Sequence, residues 1–420
     1  MNSSSLIRMS GIILNEGKGI LILIAVMAMV ILQSCKNRQK DKSDEELMKM
    51  AREICRKDLI IDSHIDWPEW VSHFPEDISK RTKTGDFDLE RANEGGLNAA
   101  MSVIYINSDI ALEEGRRLVD SLREIIGHYT ETYPEKFAEA RSPAEVRLNF
   151  SKGLFSLPVC LENGSPIGDD KEYLNYLKSI GVVYITLCHD MTNQISDSNF
   201  DEDRRWGGLS PFGVELIHEL NRLGIMIDIS HSTDSTVYQA LRYSSAPIVA
   251  THSSCRHFIP GYERNLSDTL IKLIAEKNGV VMVNFGSMFL DSTCLRNCNE
   301  AIAYMTSNGI NIYSDEGAEY LADFVKTHKV VATSVELVNH IDHIVRVAGI
   351  DYVGLGSDFN GVGPTQPSDV RDVSAYPVIV FELLKRGYSE MDINKILSGN
   401  FMRVWDEVIE TGRKLNSGLV

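Results

Sequence analysis

The stretch Leu59-Ile60-Ile61-Asp62-Ser63-His64-Ile65-Asp66 sets the pattern from which the fold of this chain can be predicted. It is a short, isoleucine-rich apolar run, which is typical of a buried β-strand. Side chains point alternately to the two faces of a strand, so His64 and Asp66 are expected on the same side. The run therefore predicts a strand that brings two polar side chains together where it ends.

Seven further runs of this kind follow, at Gly96–Tyr105, Ser156–Gly164, Val182–Asp190, Gly224–His231, Ala246–Ser253, Gly279–Gly286 and Asp351–Phe359. Helical patterns separate them, at Glu113–His128, Pro211–Leu223, Asp234–Leu241, Leu266–Lys277 and Ser334–Ala348. This alternation predicts a parallel α/β architecture. Eight strands in roughly 300 residues predict a (β/α)8 TIM barrel of the metal-dependent hydrolase type. A doubly wound open sheet is the alternative, but no glycine-rich dinucleotide fingerprint follows the first strand.

Polar side chains recur where these runs end, and the site of a barrel enzyme lies at the carboxyl ends of its strands. The residues concerned are His64, Asp66, Glu162, His189, His231, His252 and Asp358. Burying so many polar groups without partners would cost several kcal/mol. The other histidines, such as His218, His257, His328, His340 and His343, fall on predicted helices or loops, and we expect them to have no special role.

The spacing of these residues predicts a dinuclear metal site. His64 and Asp66 can hold one ion, and His231 and His252, at the ends of neighbouring strands, can hold a second. Glu162 has the two oxygens needed to bridge both ions. Imidazole and carboxylate ligands suit Zn²⁺, and suit Mn²⁺ or Co²⁺ less selectively. Two ions held roughly 3.5–4 Å apart acidify a shared water and supply hydroxide near neutral pH.

The N-terminus has the features of a processed leader. Arg8 and Lys18 precede the unbroken apolar run Ile20–Leu32, which suits a signal-peptide core better than a membrane span. The following Leu32-Gln33-Ser34-Cys35 resembles the bacterial lipoprotein processing site, which implies that Cys35 is lipidated. The expected location is therefore the bacterial cell envelope, facing the periplasm or at the cell surface.

The chain is accordingly divided into three parts. Residues 1–34 are the predicted signal peptide, and 35–50 are a charged, apolar-poor tether. Residues 51–420 form the barrel domain, with an insertion at about 287–333. The net charge of −17 and the lack of a basic stripe argue against nucleic-acid binding.

Eight segments carry a family resemblance, in chain order: Ile61–Asp66, Leu161–Gly164, Tyr184–His189, Gly208–Gly213, Ile227–His231, Thr251–Ser254, Arg264–Leu266 and Gly354–Phe359. With these segments the chain resembles the membrane dipeptidase (renal-dipeptidase-like) family of zinc peptidases over about residues 58–410, in a bacterial lipoprotein form. The resemblance implies two Zn²⁺ ions per chain on the ligands named above. It also implies a homodimer that hydrolyses dipeptides with a metal-activated hydroxide.

The resemblance further implies roles for three residues near the substrate. His189 would stabilise the oxyanion, and Arg264 would bind the C-terminal carboxylate of a dipeptide. Asp358 would bind the free amino group and relay a proton, so two opposite charges would select a zwitterion. Asn360 stands where many relatives have a second Asp, which is expected to tune activity rather than abolish it.

Two rival functions stay open at this point. One is another two-metal barrel hydrolase, although such enzymes typically have His-x-His on the first strand and a bridging lysine on the fourth. The other is a non-catalytic binding lipoprotein that keeps the fold, although no ligand has been lost. The cysteine pattern also leaves the pairing of Cys294 with Cys298 undecided, while Cys160 and Cys188 are expected not to pair.

Overall fold

The computed structural model describes residues 42–311 and 314–418. Its described strands all pair in parallel: β1 Ile61–Ile65, β2 Ala99–Tyr105, β3 Phe137–Ala138, β4 Phe155–Ser156, β5 Val159–Glu162, β6 Val182–Thr186, β7 Met226–Asp228, β8 Val249–Ala250, β9 Val280–Val283 and β10 Val353–Leu355. All eight predicted runs contain one of these strands, and each strand is shorter than the run. The predicted helical segments are present too, and α7 has the predicted bounds.

The described helices are α1 Asp44–Lys57, α2 Trp67–His73, α3 Leu89–Gly95, α4 Leu112–Thr132, α5 Pro143–Ser151, α6 Glu172–Ser179, α7 Pro211–Leu223, α8 Asp234–Tyr243, α9 Asp268–Glu276, α10 Ser287–Leu290, α11 Ser292–Ser307, α12 Asp315–Phe324, α13 Ser334–Val347, α14 Tyr376–Lys385, α15 Glu390–Asn394 and α16 Asn400–Ser417. A π-helical turn, Lys395–Gly399, joins α15 to α16. Helix α7 begins where Ser210 accepts a hydrogen bond from the N–H of Gly213 at 2.9 Å, with Pro211 in its first turn.

The main strands form a closed barrel. They follow one another in the order β1, β2, β5, β6, β7, β8, β9 and β10, while β3 and β4 extend the sheet beside β2. The ring closes just beyond the ends of β1 and β10: Asp66 N–H donates to the Phe359 carbonyl, and Asp358 N–H donates to the His64 carbonyl, both at 3.0 Å. The predicted (β/α)8 barrel is therefore confirmed, and the open sheet is not adopted.

Two apolar cores hold the barrel in place. The larger lies between the strands and the surrounding helices. The smaller combines strand residues such as Met101 and Tyr184 with Phe401 and Trp405 of α16. Both aromatic side chains of α16 are buried, so the last helix is part of the barrel core and cannot be a detachable tail.

The tether is shorter than predicted, because α1 already belongs to the folded domain. Ser43 and Glu46 form a capping box at its start, and Leu47 and Ile54 are buried. The helix packs against α14. The expected boundary at residue 51 is therefore wrong: the described fold begins at Ser43, because the helical spacing of its apolar residues gives α1 a face to bury. The predicted signal peptide and Cys35 lie outside the described residues.

The predicted insertion between β9 and α13 carries three helices, α10, α11 and α12. Cys294 and Cys298 lie one turn apart on α11, and both are buried and form no disulfide among the described residues. Cys160 and Cys188 do not pair with each other, as expected. Among the described residues, no helix is both long and apolar enough to cross a membrane.

Candidate metal centre and active site

The predicted metal ligands meet at the carboxyl-terminal mouth of the barrel. The candidate donor atoms fall into three overlapping groups: His64–Glu162–His252, Glu162–His189–His231 and His64–Asp66–Asp358. Within each group the donor atoms lie within 4.8 Å of one another. Residues that are up to 294 positions apart in the chain therefore converge on one small volume.

Glu162, the last residue of β5, occupies the centre of this volume. Its Oε2 lies 3.3 Å from Nε2 of His64. Its Oε1 lies 3.4 Å from Nε2 of His231 and 3.2 Å from Nε2 of His252. The two oxygens thus face the two predicted ligand sets separately, which is the arrangement that a carboxylate bridging two cations requires.

The tautomer of His64 leaves Nε2 free to bind a cation. The Tyr184 hydroxyl donates its only proton to the Ser63 carbonyl at 3.0 Å. The same hydroxyl oxygen lies 2.8 Å from Nδ1 of His64, so Nδ1–H must be the donor in that contact. A neutral His64 therefore carries its proton on Nδ1 and presents a bare Nε2 to Glu162.

The ring of His252 is oriented in the same way, by a hydroxyl group that accepts a hydrogen bond from its Nδ1. Thr251 donates its hydroxyl proton to Asp228 at 2.7 Å, and its oxygen lies 2.8 Å from Nδ1 of His252. Nδ1–H is again the donor, and Nε2 is left bare, 3.0 Å from Nε2 of His231. A carboxylate behind the threonine thus sets the orientation of the ring, as outer partners of metal-binding histidines usually do.

Several buried polar atoms in this cluster have no hydrogen-bond partner among the described residues. They include both carboxylate oxygens of Asp66 and Nε2 of His64. Leaving such groups unpaired is unfavourable by several kcal/mol, and a bound cation would satisfy these three atoms at once. A Cβ atom at Gly361 would overlap the carboxylates of Asp66 and Asp358, so glycine is needed there to bring them close. The residues present fit a metal ion.

The charge balance also favours a cation. Burial raises the pKa of Glu162, but His64 and His189 outweigh burial, so the net pKa lies well below its usual value. Burial lowers the pKa of His64, yet the carboxylates of Glu162 and Asp66 raise it to about 10. In the absence of metal, the acidic cluster therefore draws a positive charge onto His64.

The second pair of histidines is neutral near pH 7. Burial, followed by the charges of Arg264 and His189, holds the pKa of His231 well below its ordinary value. Burial, followed by His64 and Arg264, lowers the pKa of His252 to about 3. Neutral imidazole is the form that binds a metal ion, so no proton has to be displaced from these two rings.

Most of these side chains lie just past the strands rather than within them. His231 and Asp358 each stand three residues beyond the last strand residue, with φ of 66° and 62°. This left-handed backbone is uncommon for residues other than glycine and turns the side chain toward the site. Asp66 is likewise the N-cap residue of α2, and its Oδ2 lies 3.6 Å from Nε2 of His64. The expected proximity is present, although strand alternation alone does not produce it.

His189 lies at the rim of the cluster and is partly exposed. Its Nε2 is 3.8 Å from Oε1 of Glu162, and its Nδ1 is 3.2 Å from the carboxylate of Asp190. The edge of its ring meets Tyr105, with 4.8 Å between the ring centroids. Burial lowers the pKa of His189, but Glu162 and Asp190 raise it above its ordinary value. An imidazole that keeps its proton suits the predicted role of oxyanion donor.

Arg264 reaches the cluster from the loop between β8 and α9. Its guanidinium is buried, with Nη1 3.1 Å from the Ser253 hydroxyl and Nη2 3.1 Å from Nε2 of His231. Its Cζ lies 5.1 Å from the centre of the Phe289 ring. Its Nε has no hydrogen-bond partner among the described residues. A buried cation that no described carboxylate contacts is well suited to receive an anion.

Asp358 belongs to the group of donor atoms that also contains His64 and Asp66. Its Oδ2 accepts a hydrogen bond from Nδ2 of Asn284 at 2.8 Å. Burial raises its pKa, and the nearby carboxylate of Glu162 adds to that effect, while His64 and Arg264 oppose it. A carboxyl group whose pKa is raised in this way is able to take up a proton from a neighbour.

Sequence reasoning gave no role to two buried aspartates that shape the site. Oδ1 of Asp62 accepts from the N–H of His64, and Oδ1 of Asp228 accepts from the N–H of Ser230, each at 3.0 Å. The hydroxyl of Tyr376 donates to Asp62. Asp62 directly precedes Ser63-His64, and Asp228 precedes Ser230-His231 with one residue between. Each is an acidic residue inside an otherwise apolar strand, and that was the signal that could have identified them.

The closed barrel and its mouth of His, Asp and Glu side chains define a metal-dependent hydrolase of the (β/α)8 class. The model of the membrane dipeptidase family (peptidase family M19) matches residues 48–418, so this chain belongs to that family. Together with the relatives below, this membership makes the protein a metallo-dipeptidase and decides against the two rival functions.

Relatives agree with that assignment along most of the chain. Dipeptidase verJ of Clonostachys rogersoniana is 29% identical over 387 residues, covering 89% of each chain. The probable dipeptidase PvdM of Pseudomonas aeruginosa has a TM-score of 0.76 and 28% identity, covering 87% of this chain and 99% of that one. The structure of dipeptidase AC, a metallopeptidase of family M19, has a TM-score of 0.69 and 25% identity, covering 83% of this chain and 98% of that one.

Proposed function

We propose that this protein hydrolyses dipeptides with two Zn²⁺ ions held by His64, Asp66, Glu162, His231 and His252. The proposal rests on the positions of the two carboxylate oxygens of Glu162. Oε2 faces His64, while Oε1 faces His231 and His252. His64 with Asp66 would hold one ion, and the other two histidines would hold the second. When bound, such ions supply Lewis acidity and hydroxide at neutral pH.

Two charged side chains of this protein would recognise the two opposite charges of a dipeptide. Arg264 would bind the C-terminal carboxylate, because its buried guanidinium has an unpartnered Nε and lies beside the cluster. Asp358 would bind the free amino group from the opposite side and accept a proton there. A longer peptide would have to bury unpaired backbone groups between these charges, which is the physical basis for choosing dipeptides.

His189 would act on the carbonyl oxygen. It lies at the half-open rim, 3.8 Å from Glu162, and its raised pKa keeps Nε2–H available as a donor. Charge that develops on the oxygen in the transition state would be stabilised by that N–H.

Metal analysis combined with a dipeptide hydrolysis assay tests the proposal. We expect two Zn²⁺ per chain, activity that disappears on chelation, and recovery when Zn²⁺ is restored. Full hydrolysis by a chain with no bound metal would contradict the whole scheme. Full activity with a single ion per chain would contradict the dinuclear part alone.

The Arg264→Ala variant tests whether Arg264 recognises the C-terminal carboxylate of the substrate. Arg264 is not a proposed ligand, so the variant should keep both ions. Truncating one partner of a desolvated charge pair should weaken transition-state binding by about 2–5 kcal/mol, seen mainly in kcat/KM for dipeptides. Dipeptide amides lack the carboxylate charge, so their hydrolysis should fall far less. An equal loss with both substrates would mean that Arg264 is structural.

We also propose that the enzyme is anchored to a bacterial cell envelope by lipid on Cys35 and acts as a homodimer. The charged start, the apolar run Ile20–Leu32 and the Ser34-Cys35 pair support the anchor. The family resemblance alone supports the dimer, whose mass light scattering would measure.

A further inference from the structure

A second group of metal-binding side chains lies on the outside of the barrel and shares no residue with the active site. His257, Asp268 and His343 offer two imidazoles and one carboxylate whose donor atoms lie within 4.8 Å of one another. His257 belongs to a 3-10 turn after β8, Asp268 is the first residue of α9, and His343 lies on α13. Three separate elements therefore converge on one point.

The contacts within the group are close. Nε2 of His343 lies 2.7 Å from Oδ1 of Asp268. The ring of His257 stacks on the ring of His343, with 4.2 Å between centroids and 19° between planes. His257 is exposed, whereas His343 is only 4% exposed. Stacked rings direct their nitrogen lone pairs in parallel planes, so the exposed ring of His257 would have to turn to share an ion with His343. The group thus has a rigid inner donor and an outer donor that can adjust.

Only one ring nitrogen of His343 faces the carboxylate of Asp268. Nε2 lies 2.7 Å from Oδ1 of Asp268, and Nε2–H donates to it when the ring is neutral. Nδ1 points to the other side of the ring, where it is buried and makes no hydrogen bond among the described residues. An ion shared with Asp268 would therefore bind Nε2 in place of its proton, and the neutral ring would carry its proton on Nδ1.

The neighbouring histidine shows what a satisfied ring looks like here. His340 lies three residues earlier on α13; its Nδ1 accepts from the Cys255 N–H at 2.9 Å, and its Nε2 is 3.0 Å from the Leu290 carbonyl. Both of its nitrogens are engaged within the fold. His340 therefore has no ring nitrogen to offer to an ion, whereas Nε2 of His343 faces a carboxylate that can share one.

The surroundings favour a bound ion. The Phe258 ring lies against His343, with 5.7 Å between centroids, and covers one side of the group with apolar surface. Asp268 accepts only the His343 hydrogen bond among the described contacts, so its second oxygen remains available. The net charge of −17 also concentrates cations around the protein.

We propose that His257, His343 and Asp268 form an additional Zn²⁺ site, separate from the catalytic pair. Two imidazoles and one carboxylate suit Zn²⁺ and other late first-row divalent ions, with water in the remaining position. Mg²⁺ and Ca²⁺ prefer oxygen ligands and are expected to bind poorly. The ion would tie α13 to the loop between β8 and α9, which also carries Arg264.

Equilibrium dialysis of the purified, metal-loaded protein against buffered Zn²⁺ tests the site. The wild type should hold one Zn²⁺ per chain more than His257→Ala, and excess Mg²⁺ should not reduce that difference. The matched control is His128→Ala, an exposed histidine on α4 that should keep the wild-type count. Because the measurement is a difference, it does not depend on how many ions the catalytic site holds.

Thermal unfolding gives a second readout. Binding to the folded state alone stabilises it, so added Zn²⁺ should raise the unfolding midpoint of the wild type and of His128→Ala more than that of His257→Ala. The activity of His257→Ala at saturating Zn²⁺ should equal that of the wild type. Equal Zn²⁺ counts in the wild type and His257→Ala would overturn the proposal, as would equal losses in His257→Ala and His128→Ala.

Discussion

At the residue scale, the site consists of buried polar side chains, each of which needs a partner from another residue of the cluster or from a bound ion. Both oxygens of Asp66 and Nε2 of His64 lack hydrogen-bond partners within the described part of the chain, while Glu162 stands between two sets of candidate ligands. Behind them, Asp62 and Asp228 hold the backbone and the histidine tautomers in place. A change at any of these positions leaves a buried group unpaired, so its effects should exceed those of ordinary surface changes.

The first prediction at this scale concerns Glu162. Glu162→Gln keeps the shape of the side chain but loses the charge that a bridging ligand needs, so bound metal should fall below two ions per chain. Activity should fall by more than about 100-fold, because losing an outer partner alone costs 10–100-fold. Elemental analysis and kinetics on one sample measure both. Glu69→Gln, a partly exposed glutamate of α2, is the control and should keep both ions; full activity with two ions in Glu162→Gln would refute the bridge.

The second prediction concerns Asp86, which accepts hydrogen bonds from Asn360 N–H and the Gln366 side chain. Burial raises its pKa from 3.8 to about 6, so the folded state holds the proton more tightly than the unfolded chain. Its contribution to stability is therefore full below about pH 4 and is lost as the pH rises to about 6.

Asp86→Asn cannot titrate in that range. The unfolding free energy of the variant minus that of the wild type should therefore increase by up to about 3 kcal/mol between pH 4 and pH 7. Urea unfolding at a series of pH values measures this difference. A difference in unfolding free energy that stays constant between pH 4 and pH 7 would show that folding does not raise the pKa of Asp86.

At the scale of elements, short loops after the strands carry the chemistry, and the helices hold those loops in place. His231 and Asp358 leave their strands in left-handed conformations, which re-aims each side chain into the mouth of the barrel. Helix α1 packs against α14, whose Tyr376 donates to Asp62 below His64. The first helix of the domain therefore supports the site indirectly.

Truncating the buried face of α1 should destabilise the domain. Leu47→Ala removes a side chain that is 3% exposed, and the cost should be about 2–4 kcal/mol in unfolding free energy. Lys49→Ala, at an exposed position on the same helix, should change it by less than about 0.5 kcal/mol. Chemical unfolding compares the two. If both variants matched the wild type, α1 would belong to the tether after all.

At the scale of the whole molecule, one closed barrel combines a core, a site and an N-terminal connection. The ring closes where β1 and β10 end, and α16 places Phe401 and Trp405 in the inner core. The described fold starts at Ser43, eight residues beyond the predicted lipid attachment at Cys35. A short segment would therefore join the proposed anchor to the enzyme.

The Cys35→Ala variant tests that connection. A lipid on Cys35 would be the proposed attachment to the membrane, so the variant should move to the soluble fraction or remain uncleaved. Fractionation of cells with an activity assay, together with the mass of the mature chain, would measure both outcomes. A processed variant that still partitions wholly with membranes would refute lipidation at this residue.

Local pattern in the sequence determined the eight strands, the bounds of α7 and the identity of the candidate metal-binding side chains. These features could be predicted because apolar runs, helix periodicity and capping signals act over a few residues. The family resemblance then suggested the proposed roles of Arg264 and Asp358, which local pattern alone does not assign.

Only the tertiary structure decided how those parts meet. The ladders are shorter than the apolar runs, so His189, His231 and Asp358 stand on turns where strand alternation does not apply. The tautomer of His64 depends on Tyr184, 120 residues away, and the boundary at Ser43 depends on α14. Each of these features rests on contacts between distant segments, whose geometry is set by packing and by the need to pair buried polar groups, and a local reading of the sequence cannot supply that geometry.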